Sequence, residues 1–278
     1  MPELPEVTTI SNQLKKEIVG RTICSVGINP KYAVYPTNSF FVENVSGSKI
    51  LNVTRIGKVI IIKLEKNKRP FYITIHLAMT GRIRFYDKKE DAVQEELVTL
   101  LFEDKSNVIF TDQRRFGYVK LINSEKLLEL KKKFGPEPSE ISLEEFEKNI
   151  KSIKTNVKNT LLNQHILAGV GNIYANDALF MAGINPKSKT TDLSTSQCRK
   201  LLRSLQEILR EAIEHKGSTL EDSMYLDIYG NPGTHQKHFR VYGKKNRGCI
   251  ICKTKIEFLT LNGRGTFFCP NCQPNPKT

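Results

Sequence analysis

The sequence predicts a multidomain α+β protein: an N-terminal β-sandwich opened by a helix, then a helical domain, then a zinc-ribbon β-hairpin. Three observations predict it. Short β-rich runs fill residues 21–123, helical spacing fills most of 142–217, and four cysteines form two C-x-x-C pairs near the C-terminus. A chain of 278 residues can hold one large or two ordinary domains with a core that needs no disulfides. The expected domains are 1–134, 135–240 and 241–278.

In chain order, Val7, Ile10, Leu14 and Ile18 recur at helical spacing, and Pro5 and Glu6 suit a helix N-terminus. The runs 22–28, 50–64, 71–77, 82–86, 97–102, 108–111 and 118–122 read as strands, punctuated by Asn, Asp, Gly and Lys. Phe134 to Ser139 is a Pro/Gly break and marks the domain boundary. Ser142 with Glu145, and Ser194 with Gln197, are capping boxes that open two helices. Between them, 156–167 and 173–182 read as shorter helices joined by the turn Ala168-Gly-Val-Gly-Asn172. Gly217 closes the last long helix, and 218–240 reads as a loop.

The net charge of +14 attracts a polyanion and speeds encounter with it, although high charge also serves solubility alone. No run approaches the ~18 apolar residues of a membrane helix. The acidic start Met1-Pro2-Glu3 is unlike a signal peptide, so a cytoplasmic protein is expected. Cys24 and Cys198 stand apart from the other cysteines and read as buried apolar side chains.

Cys249-x2-Cys252-x16-Cys269-x2-Cys272 has the spacing of a zinc ribbon. Four thiolates close the coordination shell, so the one expected zinc ion is structural. Between the knuckles, Arg264 sits at a Gly-rich tip that can approach phosphates or be an ordinary exposed turn. The GVGN turn, with Asn172, precedes a helix whose free N–H groups can bind phosphate, with Lys154 and Lys158 upstream; close helix packing explains the glycines equally well. The tips carrying Met79 and carrying Arg114 and Phe116 each place an apolar side chain beside a Gly turn, as wedges do that fill the gap left by an extruded base. Loss of Met1 exposes the Pro2 secondary amine, which titrates well below a lysine and can form an iminium with a sugar aldehyde carbon, with Glu3 beside it to move protons.

From PELPE to the last cysteine, the order and spacing of these pieces resemble the formamidopyrimidine-DNA glycosylase family, which carries a helix-two-turn-helix domain. The resemblance implies Pro2 as nucleophile, Glu3 as acid/base, and Lys58 as a lysine that touches phosphate and assists elimination. It implies Met79, Arg114 and Phe116 as a void-filling triad, and Lys154, Asn172 and Tyr242 as phosphate contacts, with Lys158 joining them. Arg264 falls on a finger arginine that grips phosphates beside the lesion and is linked to the second elimination.

The implied activity is a bifunctional glycosylase and lyase acting on oxidised purines in duplex DNA, bound in the basic cleft between two domains. A monomer associated with the nucleoid is expected. Two departures stand out: Gln94 to Leu97 lacks the histidines common on that strand, and Asp177 replaces a common Glu, which bears on damaged-base recognition. The Tyr225 to His238 loop falls at the lesion-capping position. Rival readings are an endonuclease VIII-like glycosylase for oxidised pyrimidines, disfavoured by PELPE and the Met/Arg/Phe set, and a non-catalytic zinc-ribbon DNA-binding protein.

Overall fold

The computed structural model of the chain describes residues 2–88, 96–221 and 224–275. It has two compact units, Met1–Lys132 with His215–Thr234, and Lys133–Glu214 with His235–Thr278.

The first unit contains helix α1 (Leu4–Ile18), strand β1 (Ile23–Ile28), helix α2 (Asn38–Val45), and strands β2 (Lys49–Ile56), β3 (Val59–Lys66), β4 (Arg69–His76), β5 (Gly81–Tyr86), β6 (Glu96–Phe102), β7 (Asn107–Asp112) and β8 (Tyr118–Ile122). Helix α3 (Ser124–Lys131) follows. The strands form two antiparallel sheets in the orders β2-β3-β4-β8 and β1-β6-β7-β5. Ile62, Ile73 and Val119 of one sheet share a core with Val98, Val108 and Phe110 of the other, which makes the unit the expected sandwich.

Val7, Ile10, Leu14 and Ile18 of α1 enter the same core. Burying each such side chain is worth about 1.5–3 kcal/mol, so this stripe, rather than helix propensity, fixes the helix. The run 50–64 is two strands joined by a turn at Gly57-Lys58. It reads as continuous because β3 is covered on both faces: Ile60 and Ile62 face the sandwich core, while Ile61 packs with Ile122 and Leu127 of α3.

Two features differ from the sequence reading. Helix α2 lies within the stretch that reads as β-rich, and α3 in a stretch, 124–133, that carries no assignment. Each spans only two turns and is set by its cap, Thr37 accepting from the Phe40 N–H (3.2 Å) and Asn123 from the Lys126 N–H (3.0 Å). The segment 215–234, expected with the helical domain, packs in the first unit. Tyr225 and Ile228 are part of the sandwich core, and the Phe85 N–H donates to the Ile228 carbonyl (2.9 Å).

The second unit holds α4 (Leu143–Lys151), α5 (Val157–Leu162), α6 (Asn172–Ala182), α7 (Thr195–Glu214) and the hairpin β9 (Glu257–Leu261) and β10 (Arg264–Phe268). Both capping serines accept as expected, and Gln197 returns a bond from the Ser194 N–H (2.9 Å). Helix α5 stops at Leu162, short of the expected 167. There the Gln164 side chain takes over, accepting from the Gly169 N–H (2.9 Å) and donating to the Val170 carbonyl (2.9 Å), so the chain turns twice before α6.

Cys198 is buried on α7, whereas Cys24 is exposed, contrary to expectation, because it lies on an outward-facing position of β1. Among the described residues no helix is long and apolar enough to cross a membrane.

Candidate nucleic-acid interface and catalytic groups

The first unit places Pro2 and Glu3 immediately before α1. Glu3 is the N-cap: its carboxylate accepts from the first turn, and its own N–H donates to Glu6 Oε2 (2.8 Å). Both carboxylates are 1% exposed. Glu6 Oε1 accepts from the Ser218 N–H (2.7 Å), and a Cβ on Gly217, whose φ is +79°, would lie 2.7 Å from Glu6 Cγ. Glu6 thereby locks the start of the chain to the 215–234 segment. No sequence reading assigned it that role; the E-x-x-E spacing was its only trace.

Lys58 stands half-buried in the β2–β3 turn. Arg55 ties that turn to α1, donating to Thr8 Oγ1 (2.6 Å) and to the Gly57 carbonyl (3.4 Å). Across the ladder, His76 pairs with Val59, and its imidazole stacks on Tyr118 at 5.6 Å. Burial, and then the Lys58 charge, hold His76 below its ordinary pKa, so this neighbour of Lys58 is neutral at neutral pH.

Met79, Arg114 and Phe116 come together although they lie on two loops, Met79 between β4 and β5 and the other two between β7 and β8. The Arg114 guanidinium sits 4.7 Å from the centre of the Phe116 ring, and its Nη1 is 3.4 Å from Met79 Sδ. Phe116 is 60% exposed and Met79 41%, in a chain whose other large apolar side chains are mostly buried. Gln94 and Glu95, where strand histidines were missed, lie outside the described residues.

In the second unit, Lys154 is exposed before α5, and Asn172 opens α6 behind its N-cap Gly171. Arg264 is exposed at the start of β10, after the two-residue turn Asn262-Gly263, both of positive φ. Phe267 N–H donates to the buried Asn176 Oδ1 (2.8 Å), anchoring the hairpin to α6.

One expectation is corrected here. Lys158 does not stand free to meet phosphate: it is fully buried, and its ammonium donates to the Gly265 carbonyl and to Thr266 Oγ1, both at 2.7 Å. It braces the hairpin that carries Arg264. Asp177 is likewise fully buried, accepting from the N–H groups of Arg240 (2.8 Å), Val241 (2.9 Å) and Tyr242 (3.0 Å). Burial pushes its carboxyl up, opposed by those three N–H groups and by Arg240. The replacement of Glu by Asp therefore bears on the placement of Tyr242, whose ring is wedged between Phe239 and Phe267 at 5.3 Å each.

The four cysteines fit a zinc ion. Their sulfurs lie within 4.8 Å of one another, with separations of 3.8 Å (Cys249–Cys272), 3.4 Å (Cys252–Cys269) and 3.5 Å (Cys252–Cys272). A tetrahedron of thiolates at the usual zinc–sulfur distance has edges of about 3.8 Å. The Ile251 and Cys272 N–H groups each donate to a knuckle sulfur at 3.4 Å, which stabilises thiolates. Four protein ligands leave no open position, so a bound zinc holds the ribbon against Phe180 and Val241 and takes no part in chemistry.

Three family models match in succession: the formamidopyrimidine-DNA glycosylase N-terminal domain over residues 1–119, its H2TH domain over 134–224, and the zinc finger found in FPG and IleRS over 249–275. Formamidopyrimidine-DNA glycosylases of a Wolbachia strain from Brugia malayi and of Listeria monocytogenes are 36% and 35% identical, each over 98% of this chain and all of its own length. A mutant of the Lactococcus lactis FPG in complex with a Fapy-dG containing DNA superposes with a TM-score of 0.90 at 33% identity, over 99% of this chain and 100% of that one. The wild-type Lactococcus lactis protein with an oxidised pyrimidine containing DNA gives 0.88 at 33% identity over the same shares. From PELPE through the wedge tips to the fourth cysteine, the chain belongs to the formamidopyrimidine-DNA glycosylase family.

Proposed function

We propose that the chain is a bifunctional DNA glycosylase and abasic-site lyase of base excision repair, acting on oxidised purines such as 8-oxoguanine and formamidopyrimidines in duplex DNA. The observation that carries the reading is the exposed Met79, Arg114 and Phe116 cluster, a preformed plug with the size and chemistry to replace an everted nucleotide. Lys154, Asn172, Tyr242 and Arg264 supply phosphate contacts from the second unit, and the net charge of +14 draws the duplex in. The protein works in the cytoplasm at the nucleoid.

In the chemistry that fits these residues, the Pro2 amine, freed by loss of Met1, bonds to C1′ as the C1′–N bond breaks and the base leaves with its electron pair and a proton. Glu3 passes a proton to O4′, the C1′–O4′ bond breaks, and an iminium forms. The iminium acidifies C2′: loss of a C2′ proton expels the 3′ phosphate, and a second elimination expels the 5′ phosphate. Lys58 and Arg264 neutralise the departing phosphates.

The test is borohydride trapping on 8-oxoguanine duplex. The native protein should form a covalent adduct, and a form with an added N-terminal residue should lose excision and trapping while still binding an abasic-analogue duplex. Glu3→Gln should slow excision about a hundredfold to ten-thousandfold and cleavage of a preformed abasic site less. Trapping by the blocked form would assign the nucleophile to a lysine. The oxidised-pyrimidine complex of the Lactococcus lactis relative supports a second, wider reading of the substrate range, checked by running both lesion classes in parallel.

A further inference from the structure

Asp112 and Thr80 lie beneath the Met79, Arg114 and Phe116 cluster, and nothing in the chemistry above uses them. Asp112, the last residue of β7, is 2% exposed. Its Oδ1 accepts from the Thr80 hydroxyl and from the Arg114 N–H (3.3 Å), and its Oδ2 accepts from the Gly117 N–H (2.6 Å). Thr80 Oγ1 accepts a second bond from the same Arg114 N–H (3.0 Å). A side chain on Gly117 would bring its Cβ within 2.9 Å of Asp112 Oδ2 and 2.6 Å of the His76 carbonyl, so only glycine allows this approach.

Each plug residue is thus held at its backbone or next to it. Met79 adjoins Thr80, Arg114 is held through its own N–H, and Phe116 adjoins Gly117. The buried carboxylate is satisfied by one hydroxyl and two main-chain N–H groups. That arrangement keeps the Arg114 guanidinium, two residues away, out of an ion pair with Asp112 and available to Met79 and the Phe116 ring.

We propose that Thr80 and Asp112 are positioning residues that preform the plug, so that its three prongs enter the duplex as one rigid body. The inference rests on the void-filling reading. Its consequence is that the clamp governs how fast the vacated space is filled, and with that the discrimination of lesion from intact duplex, because a loose plug must order itself at the moment of entry.

The experiment is stopped-flow fluorescence with 2-aminopurine opposite 8-oxoguanine, combined with borohydride trapping on duplex and on single-stranded abasic DNA, which has no gap to fill. Thr80→Val keeps the shape and removes the hydroxyl; Asp112→Asn turns an acceptor towards a donor. Both should slow the fluorescence change about tenfold to a hundredfold, and the loss of trapping on duplex should exceed the loss on single strands at least tenfold. Thr80→Ser should restore both. Parent-like insertion by Thr80→Val, or equal losses on duplex and single strand, overturns the clamp. Met79→Ala is run alongside: if it inserts like the parent, the void-filling reading itself falls and takes the clamp with it.

Discussion

The three bonds to Asp177 allow a quantitative prediction for Asp177→Asn. The replacement amide can keep its oxygen where Oδ1 stands, retaining neutral bonds to the Val241 and Tyr242 N–H groups, but it turns an NH2 towards the Arg240 N–H. A hydrogen bond to a charged group is worth about 1.5–3 kcal/mol and a stranded buried donor costs about 1–3 kcal/mol. Removing the buried charge recovers part of that, since burial already pushes the Asp177 carboxyl up, which leaves a net loss of roughly 2–4 kcal/mol in local stability. Amide hydrogen exchange reads this directly: at Val241 and Tyr242 it should accelerate roughly 30-fold to 900-fold. The Phe267 amide, held instead by Asn176 Oδ1, should change much less. Affinity for an abasic-analogue duplex should fall in parallel as Tyr242 loosens. Unchanged exchange at 241 and 242 in a folded variant would refute the account of Asp177 as the anchor of that loop.

The ribbon should need its metal: chelation, or Cys269→Ser, should abolish binding of an abasic-analogue duplex while the circular dichroism of the sandwich persists, because structural zinc contributes about 10–16 kcal/mol in finger peptides, far more than a cluster the size of Phe180, Val241 and Ile256. Normal binding by the stripped protein would remove the zinc assignment. His76 titrates below 6.5 in the folded chain, so the folded state binds fewer protons than the unfolded one. Its contribution is therefore complete above that unfolded value and is lost as pH falls through the folded one. Lys58→Met should move the His76 midpoint upward by NMR, and an unmoved midpoint would place the lysine charge elsewhere.

Much of this molecule was legible in its sequence where a short-range pattern dictates the outcome. The α1 stripe, the seven β-rich runs, one of which is two strands, and the two serine caps follow from spacing within a few residues, and the four thiolates from two knuckles that each fold locally. The cluster of Met79, Arg114 and Phe116 was legible as types at two tips, but their contact depends on the Thr80–Asp112 bond across 32 residues. Lys158 was misread because an isolated lysine near Lys154 carries no mark of burial; its partners lie 107 and 108 residues away on the hairpin. Asp177 binds main-chain N–H groups, which leave no trace in residue identity at 240–242, and the two-turn helices α2 and α3 offer too few apolar positions for a period to show.

The Glu6 bond reaches Ser218, 212 residues along the chain, and Tyr225 and Ile228 fill a core begun by α1. This makes the sandwich a discontinuous unit with consequences for its synthesis. A nascent chain whose first 132 residues have left the ribosome has both sheets in hand but lacks the two side chains that complete their packing. Burial of Ile228 alone is worth about 2 kcal/mol, and Glu6 meanwhile faces an absent donor. Helices α4 to α7 must therefore be translated before the first unit can close. A fragment ending at the Pro/Gly break should leave exposed the apolar surface that Tyr225 and Ile228 cover in the full chain.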